Sequence, residues 1–408
     1  MRCGRPQAIA FVVVLALGMA GCGESGSGSP TEPSTTLTQS TFPSDTQSPG
    51  TTAPASALDP DDLLDELRES YGAPGAMAFL RASGTEWFGR SGSADLAGTE
   101  LTTTTRFRIA SITKTVVAFL VLDAVSRDEV SLDDEVSQYV PDVLREQPPI
   151  TVRMLLDHTS GIFNVGDEGD IAADVENLTD PALQAQARDI GARYLGGEHV
   201  SLPAELFVAL AETHDRYFEP GGGYHYSNVN YQLAAMVLER VTGETLGELV
   251  RTRLVGPLGL QHTSIAPDDA GIPEMHGYGL DAADGSLVDL TADFLALGNG
   301  GGGGVISTPE ELLMIMQAIV GGQLLPQSLT DEMQHATSQS YGSYGLGLGR
   351  YELSCGTFYG HGGSVSGTQS IALADDDRPA GVVVVVNLRS DADPNLLALA
   401  ESLLCAGA

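Results

Sequence analysis

Apolar positions recur along the chain at two spacings, and those spacings divide it into layers. Behind Asp59-Pro60-Asp61-Asp62, the residues Leu63, Leu64 and Leu67 share one face of a helix whose positive end carries the acidic side chains. Gly75 to Ala82 and Thr85 to Gly89 read as two strands joined into a hairpin at Ser83-Gly84. Thr102 to Arg108 leads into a helix made apolar on most faces by Val116, Val117, Phe119, Leu120 and Val121, and such a helix sits at the centre of a core. The stretch from about 130 to 290 is mainly helical: Ile150 to Asp157, the amphipathic Leu202 to Thr213, and Tyr231 to Val241 stopped by Gly243. Gly298 to Gly304 lacks the Lys-Ser/Thr of a phosphate loop and reads as a flexible turn, after which Thr308-Pro309-Glu310 opens another helix. Strands return at Thr357 to Gly363, Gln369 to Ala374 and Gly381 to Leu388, whose run of valines belongs in mid-sheet, and Pro394 to Leu404 is a helix packed across them. The pattern predicts an α/β fold of the α+β kind: an antiparallel sheet flanked by helices, with a helical subdomain inserted at about 130–290.

Composition adds a compartment. The 408 residues carry a formal charge of -34, which repels nucleic acid and anionic lipid and excludes both as partners of the folded part. Arg2 and Arg5 precede an apolar run, Ala8 to Leu17, too short to span a membrane; residues 1–21 read as an export signal. It ends in Met19-Ala20-Gly21-Cys22, which resembles a bacterial lipobox, with methionine where leucine is usual; the alternative is an ordinary secretory signal cut near Ala20. Lipidation of Cys22 would make the chain an exported, cell-surface lipoprotein that meets the membrane only through its anchor. Residues 22–57, rich in Ser, Thr, Pro and Gly, form a tether that cannot bury enough surface to fold, and 58–408 is the folded domain. In an oxidising compartment the remaining pair, Cys355 and Cys405, reads as a disulfide stapling the last helix to a strand; its spacing matches no zinc pattern.

The chemistry gathers at one residue. Of twenty lysines and arginines only Lys114 is lysine, and Ser111 lies three residues before it, one helical turn away on the same face. A neutral amine beside a hydroxyl is a base and its nucleophile; arginine has no base form at working pH, so it cannot substitute. Two further stretches stand out. Glu219-Pro220-Gly221-Gly222-Gly223 delivers Tyr226 and Asn228 into a loop before a helix, and Gly360-His361-Gly362-Gly363-Ser364 ends a strand, where glycine lets a ligand approach the backbone. No G-x-S-x-G elbow and no H-E-x-x-H is present.

These motifs, in the order S-x-x-K, Y-x-N, H-x-G, resemble the serine β-lactamase and penicillin-recognising family, on the branch of class C β-lactamases, D-Ala-D-Ala carboxypeptidases and related esterases. The resemblance runs from about Leu58 to Leu404, and Ile150 to Gly161 and Gly300 to Pro309 are similar to family segments near the site. It implies a β-lactamase/transpeptidase-like fold and a serine hydrolase working through an acyl-enzyme. Ser111 would attack a carbonyl, Lys114 would take its proton, and Tyr226, hydrogen-bonded to both, would pass it to the leaving group. Asn228 would orient substrate and Lys114, and the amides of Ser111 and Ser364, beside Gly363, would form the oxyanion hole. His361 stands where many β-lactamases have lysine, and Gly362 where they have threonine, which weakens carboxylate recognition; a Glu-x-x-Leu-Asn segment, the class A signature, is missing. His158 reads as a helix-end histidine bonded to backbone. The expectation is a monomeric, cofactor-free and metal-free D-alanyl-D-alanine carboxypeptidase-like peptidase acting on a small-molecule or peptide substrate. The alternatives are a small-ester esterase, a weak β-lactamase, or a penicillin-binding sensor with little turnover.

Overall fold

The computed structural model describes residues 59–406 except 83, 142–148, 166–170, 196–199, 201, 266–270, 292–299 and 391. The export signal, Cys22 and the tether therefore lie outside the described residues, as do Ser83 of the hairpin turn and the first two residues of the glycine run.

In chain order, α1 (Pro60–Tyr71) is followed by the hairpin β1 (Gly75–Ala82) and β2 (Thr85–Gly92), the short β3 (Phe107–Arg108), and α2 (Thr113–Ser126). The insertion carries α3 (Val152–Leu156), α4 (Ile171–Asn177), α5 (Pro181–Leu195), α6 (Ala204–Ala211), α7 (Asn228–Thr242), α8 (Leu246–Leu249) and α9 (Gly256–Leu258). Three short strands follow within it: β4 (Ser264–Ile265), β5 (Tyr278–Leu280) and β6 (Leu287–Asp289). The chain then forms β7 (Val305–Ser307), α10 (Pro309–Val320), α11 (Gln327–Gln334), β8 (Gly349–Leu353), β9 (Gly356–Val365), β10 (Thr368–Ala374), β11 (Gly381–Val386) and α12 (Leu396–Cys405). No helix among the described residues is long and apolar enough to cross a membrane.

The main sheet runs β2-β1-β11-β10-β9-β8, antiparallel throughout. Side chains alternate faces along a strand, so the valine run serves two cores. Val382, Val384 and Val386 join Leu64 of α1 and Leu399 and Leu403 of α12, while Val383 and Val385 join α2, α7 and α10. That is why β11 is apolar at every position and lies mid-sheet. On α2, every residue from Thr113 to Ala124 is buried, Lys114 among them. Cys355 and Cys405 are joined in a disulfide that ties the β8–β9 turn to the end of α12.

Two elements differ from the sequence reading in ways that matter for the site. The helix expected from Tyr231 starts three residues earlier, with Ser227 as N-cap, so Asn228 stands in its first turn rather than in a loop. A second sheet, β3-β7-β4, was not anticipated: strands of two or three residues have no readable period. Its β3 is the rail on which the nucleophile's turn is mounted, with Ile109 N–H bonded to Val305 O at 3.1 Å.

Candidate active site

Ser111 lies in a 3-10 turn, Ala110–Ile112, between β3 and α2. Ala110 is held at φ +52, a left-handed conformation that costs a residue with a β-carbon about 1–2 kcal/mol. The surroundings impose it. Val305 N–H bonds Thr113 Oγ1 at 3.1 Å, and β9 crosses so close that a β-carbon on Gly363 would stand 2.4 Å from Ile109 O and 2.6 Å from Ser370 Oγ. Gly363 was expected to leave room for a ligand. The room is filled by the carbonyl of the nucleophile's own turn, so Gly363 serves packing there. Gly362 is the open position, with nothing nearer to an added β-carbon than Ser370 O at 3.9 Å.

Lys114 has no exposed surface, and burial holds its amine well below the ordinary value of 10.5, favouring the neutral form. Its Nζ lies 2.7 Å from Asn228 Oδ1, 2.8 Å from Gly302 O and 3.2 Å from Ser111 Oγ. In that form the amine has two N–H bonds and one lone pair. Asn228 Oδ1 and Gly302 O can only accept, so they take the two hydrogens, and the lone pair faces the Ser111 hydroxyl. The glycine run makes this possible: a β-carbon on Gly301 would fall 2.1 Å from Tyr231 O, so only glycine brings this turn against α7. The sequence flagged the run as a flexible turn; the Gly302 carbonyl, being backbone, left no signal of its own. Asn164, also missed, fixes the base of the same cluster by accepting the Asn228 N–H at 2.8 Å.

Tyr226 does not bond both Ser111 and Lys114 as expected. The amine stands 4.8 Å from the centre of its ring, with its hydrogens committed elsewhere. The Tyr226 hydroxyl is buried and closes no hydrogen bond of normal geometry among the described residues, the Ser111 hydroxyl being its polar neighbour. Burial pushes its pKa up, the Ser111 hydroxyl opposing in part, so the group is a neutral phenol available to an incoming atom. His158, buried and bonded to the Ser227 backbone, packs against that ring at 4.4 Å between centroids.

His361 is buried too, and burial pushes it down to about 4, with a further push whenever nearby Lys114 carries a proton. Its Nδ1–H donates to Gly362 O at 2.5 Å and Nε2 accepts from the Tyr344 hydroxyl at 3.0 Å. Both nitrogens are therefore used inside the protein, and the ring carries no charge at neutral pH. Ser364 is exposed on β9. Pairing with β8 stops at Gly360, while β10 continues along β9 to Val365, so one edge of residues 361–365 is open beside Ser111. Among the described residues no group of His, Cys, Asp or Glu is placed to hold a metal ion.

Comparison with known proteins agrees with this geometry. A family profile described as Beta-lactamase matches residues 60–404. The chain is 26% identical over 364 residues to a D-aminopeptidase of Cereibacter sphaeroides, covering 85% of this chain and 62% of that one. It is 30% identical over 227 residues to the esterase EstB of Burkholderia gladioli, covering 53% and 54% respectively. It thus spans less than two thirds of these relatives. Among solved structures, a D-stereospecific amidohydrolase from Streptomyces sp. superposes with a TM-score of 0.67 at 30% identity, covering 86% of this chain and 100% of that one. A D-amino acid amidase from Ochrobactrum anthropi SV3 gives 0.67 at 25%, covering 85% and 97%. An octameric penicillin-binding protein homologue from Pyrococcus abyssi shares the fold at 23% identity and a TM-score of 0.67, covering 85% and 76%. With its S-x-x-K pair assembled around a buried amine and its profile match spanning residues 60–404, the chain belongs to the β-lactamase family of serine hydrolases.

Proposed function

We propose that the chain is an amidohydrolase that cleaves amides of D-amino acids bearing a free amino group, through an acyl-enzyme on Ser111. The observation that carries this choice is the neutral, internally bonded His361. A carboxypeptidase needs a fixed cation for the terminal carboxylate of its substrate, and His361 supplies none, so the carboxypeptidase expected from sequence gives way to a substrate that ends in an amide or ester. The D-aminopeptidase and D-amino acid amidase relatives support the same direction.

The substrate would lie along the open edge of β9. Ser111 passes its proton to the lone pair of Lys114 as its oxygen bonds to the carbonyl carbon, and the amides of Ser111 and Ser364 take the oxyanion. The proton on Lys114 then moves by way of the Tyr226 hydroxyl to the leaving nitrogen, the C–N bond breaks, and the ester on Ser111 is hydrolysed by water activated through the same pair. The test is to incubate the full chain with D-alaninamide, L-alaninamide, an acetylated peptide ending in D-Ala-D-Ala, and p-nitrophenyl acetate, following the Ser111 adduct by mass. Turnover of D-alaninamide well above its L form is expected; turnover of the D-Ala-D-Ala peptide alone would overturn the reading. We also propose that Cys22 is lipidated and holds the enzyme at the cell surface, and a Cys22→Ala chain that stayed in the membrane fraction would refute this.

A further inference from the structure

His158 follows α3 in a left-handed backbone conformation, φ +60, and is completely buried. A non-glycine residue in that conformation is strained and persists only where its surroundings fix it. We propose that His158 is a positioning residue, whose imidazole holds the ring of Tyr226 and the peptide joining Tyr226 to Asn228. The inference rests on the acyl-enzyme reading of the site.

The imidazole is locked by a chain of hydrogen bonds with one consistent direction. Ile162 N–H donates to Ser160 Oγ at 3.2 Å, and Ser160 donates to Asn230 Oδ1 at 2.6 Å. That fixes which end of the Asn230 amide faces His158: its Nδ2 lies 3.1 Å from Nδ1. Ser227 N–H reaches the same Nδ1 at 3.2 Å. A nitrogen that accepts twice carries no hydrogen, so the proton is on Nε2. Nδ1 thereby pins the Ser227 peptide, which has Tyr226 on one side and Asn228 on the other. His158 also lies 4.4 Å from the Tyr226 ring, 5.2 Å from Tyr344 and 5.3 Å from Tyr231.

What makes this more than packing is the state of Tyr226. Its hydroxyl closes no hydrogen bond of normal geometry among the described residues, and the Ser111 hydroxyl is its one polar neighbour, so a bond at the tip does little to aim it. The phenol is aimed mainly through its ring and its backbone, and His158 touches the first and bonds the second. The same peptide sets Asn228, whose Oδ1 takes one hydrogen of Lys114. One imidazole thus governs both the proton carrier and the orientation of the base.

Two substitutions separate the contributions. His158→Phe keeps a ring against Tyr226 and removes the acceptor. His158→Asn removes the ring but keeps an acceptor near the Nδ1 position, and asparagine tolerates left-handed backbone. With p-nitrophenyl acetate, His158→Phe is expected to lower kcat ~100-fold with KM within about threefold, the signature of misaimed groups rather than lost binding. His158→Asn is expected to recover at least ~10-fold of that loss. A folded His158→Phe protein with kcat within about threefold of the parent, or two variants losing activity only in step with their folded fraction by circular dichroism, would overturn the proposal. Should neither variant fold, ¹⁵N-histidine spectra of the native chain decide: an Nε2–H tautomer for His158 upholds it, and an Nδ1–H tautomer or an imidazolium at pH 7 refutes it. Labelling with a fluorophosphonate keeps the two readings apart. If Ser111 of the native chain is not labelled, the acyl-enzyme reading fails. If it is labelled, and equally fast in His158→Phe, only the positioning role fails.

Discussion

Replacing Lys114 by methionine tests whether the amine is neutral in the folded protein, and the expected effect on stability changes with pH. Methionine fits the buried stem but offers nothing to Asn228 Oδ1 or Gly302 O. Each buried acceptor left unpaired costs about 1–3 kcal/mol, so well above pH 10.5, where the lysine is neutral both folded and unfolded, the variant is weaker by about 2–6 kcal/mol. Below that pH the unfolded parent binds a proton that the folded parent refuses. The parent therefore loses stability as the pH falls, and the variant, with nothing to titrate there, does not. One proton corresponds to about 1.4 kcal/mol per pH unit, so the deficit of Lys114→Met shrinks by that amount per unit until the folded amine itself takes up the proton, and is flat below. Urea unfolding of both proteins at half-unit steps from pH 10.5 to 7 gives the difference directly, since every other titrating group is common to the pair. A deficit that stays constant over that range would mean that Lys114 is an ammonium in the native state, and the assignment of its lone pair to Ser111 would fall.

Other consequences are simpler to check. Tyr226→Phe removes a buried hydroxyl that closes no hydrogen bond of normal geometry at rest, so kcat is expected to fall ~100-fold or more while urea stability is unchanged or slightly higher; a clear loss of stability would show that its approach to Ser111 is a stabilising bond in the resting enzyme. Gly363→Ala puts a β-carbon 2.4 Å from Ile109 O, backbone that cannot yield without moving Ser111, and should cost about 1–3 kcal/mol of thermal stability together with most activity. Gly362→Ala, one residue earlier, has open space and should cost no stability; an equal loss of stability at the two positions would contradict the approach of β9 to the nucleophile's turn.

How much of this was legible from sequence follows from the range of each interaction. Ser111 and Lys114 are one turn apart, so their contact is local and readable, and the valine run announced a strand with two buried faces for the same reason. The sequence also marked Gly363 as special but gave it the wrong neighbour, because nothing local says that Ile109 O comes to lie there. Gly302 and Asn164 were missed because each acts through an atom with no residue-type signature for this chemistry: a carbonyl any residue would provide, and an amide from a distant loop. The replacement of lysine by His361 already weakened the case for carboxylate recognition in the sequence, but its lack of charge depends on burial and on Tyr344, a partner brought to it by tertiary packing, and so was legible only in the folded chain.

The solitary buried lysine has a practical corollary. Since Lys114 is the chain's one lysine and has no accessible surface, the folded domain displays no side-chain amine to solvent. Cross-linkers and coupling reagents that depend on lysine find no purchase on its exterior, and trypsin has only arginines there to cut after. A small amine-directed probe that does become attached to a side chain has reached the buried amine beside Ser111. The molecule therefore carries its own single-site reporter of how readily its interior becomes accessible.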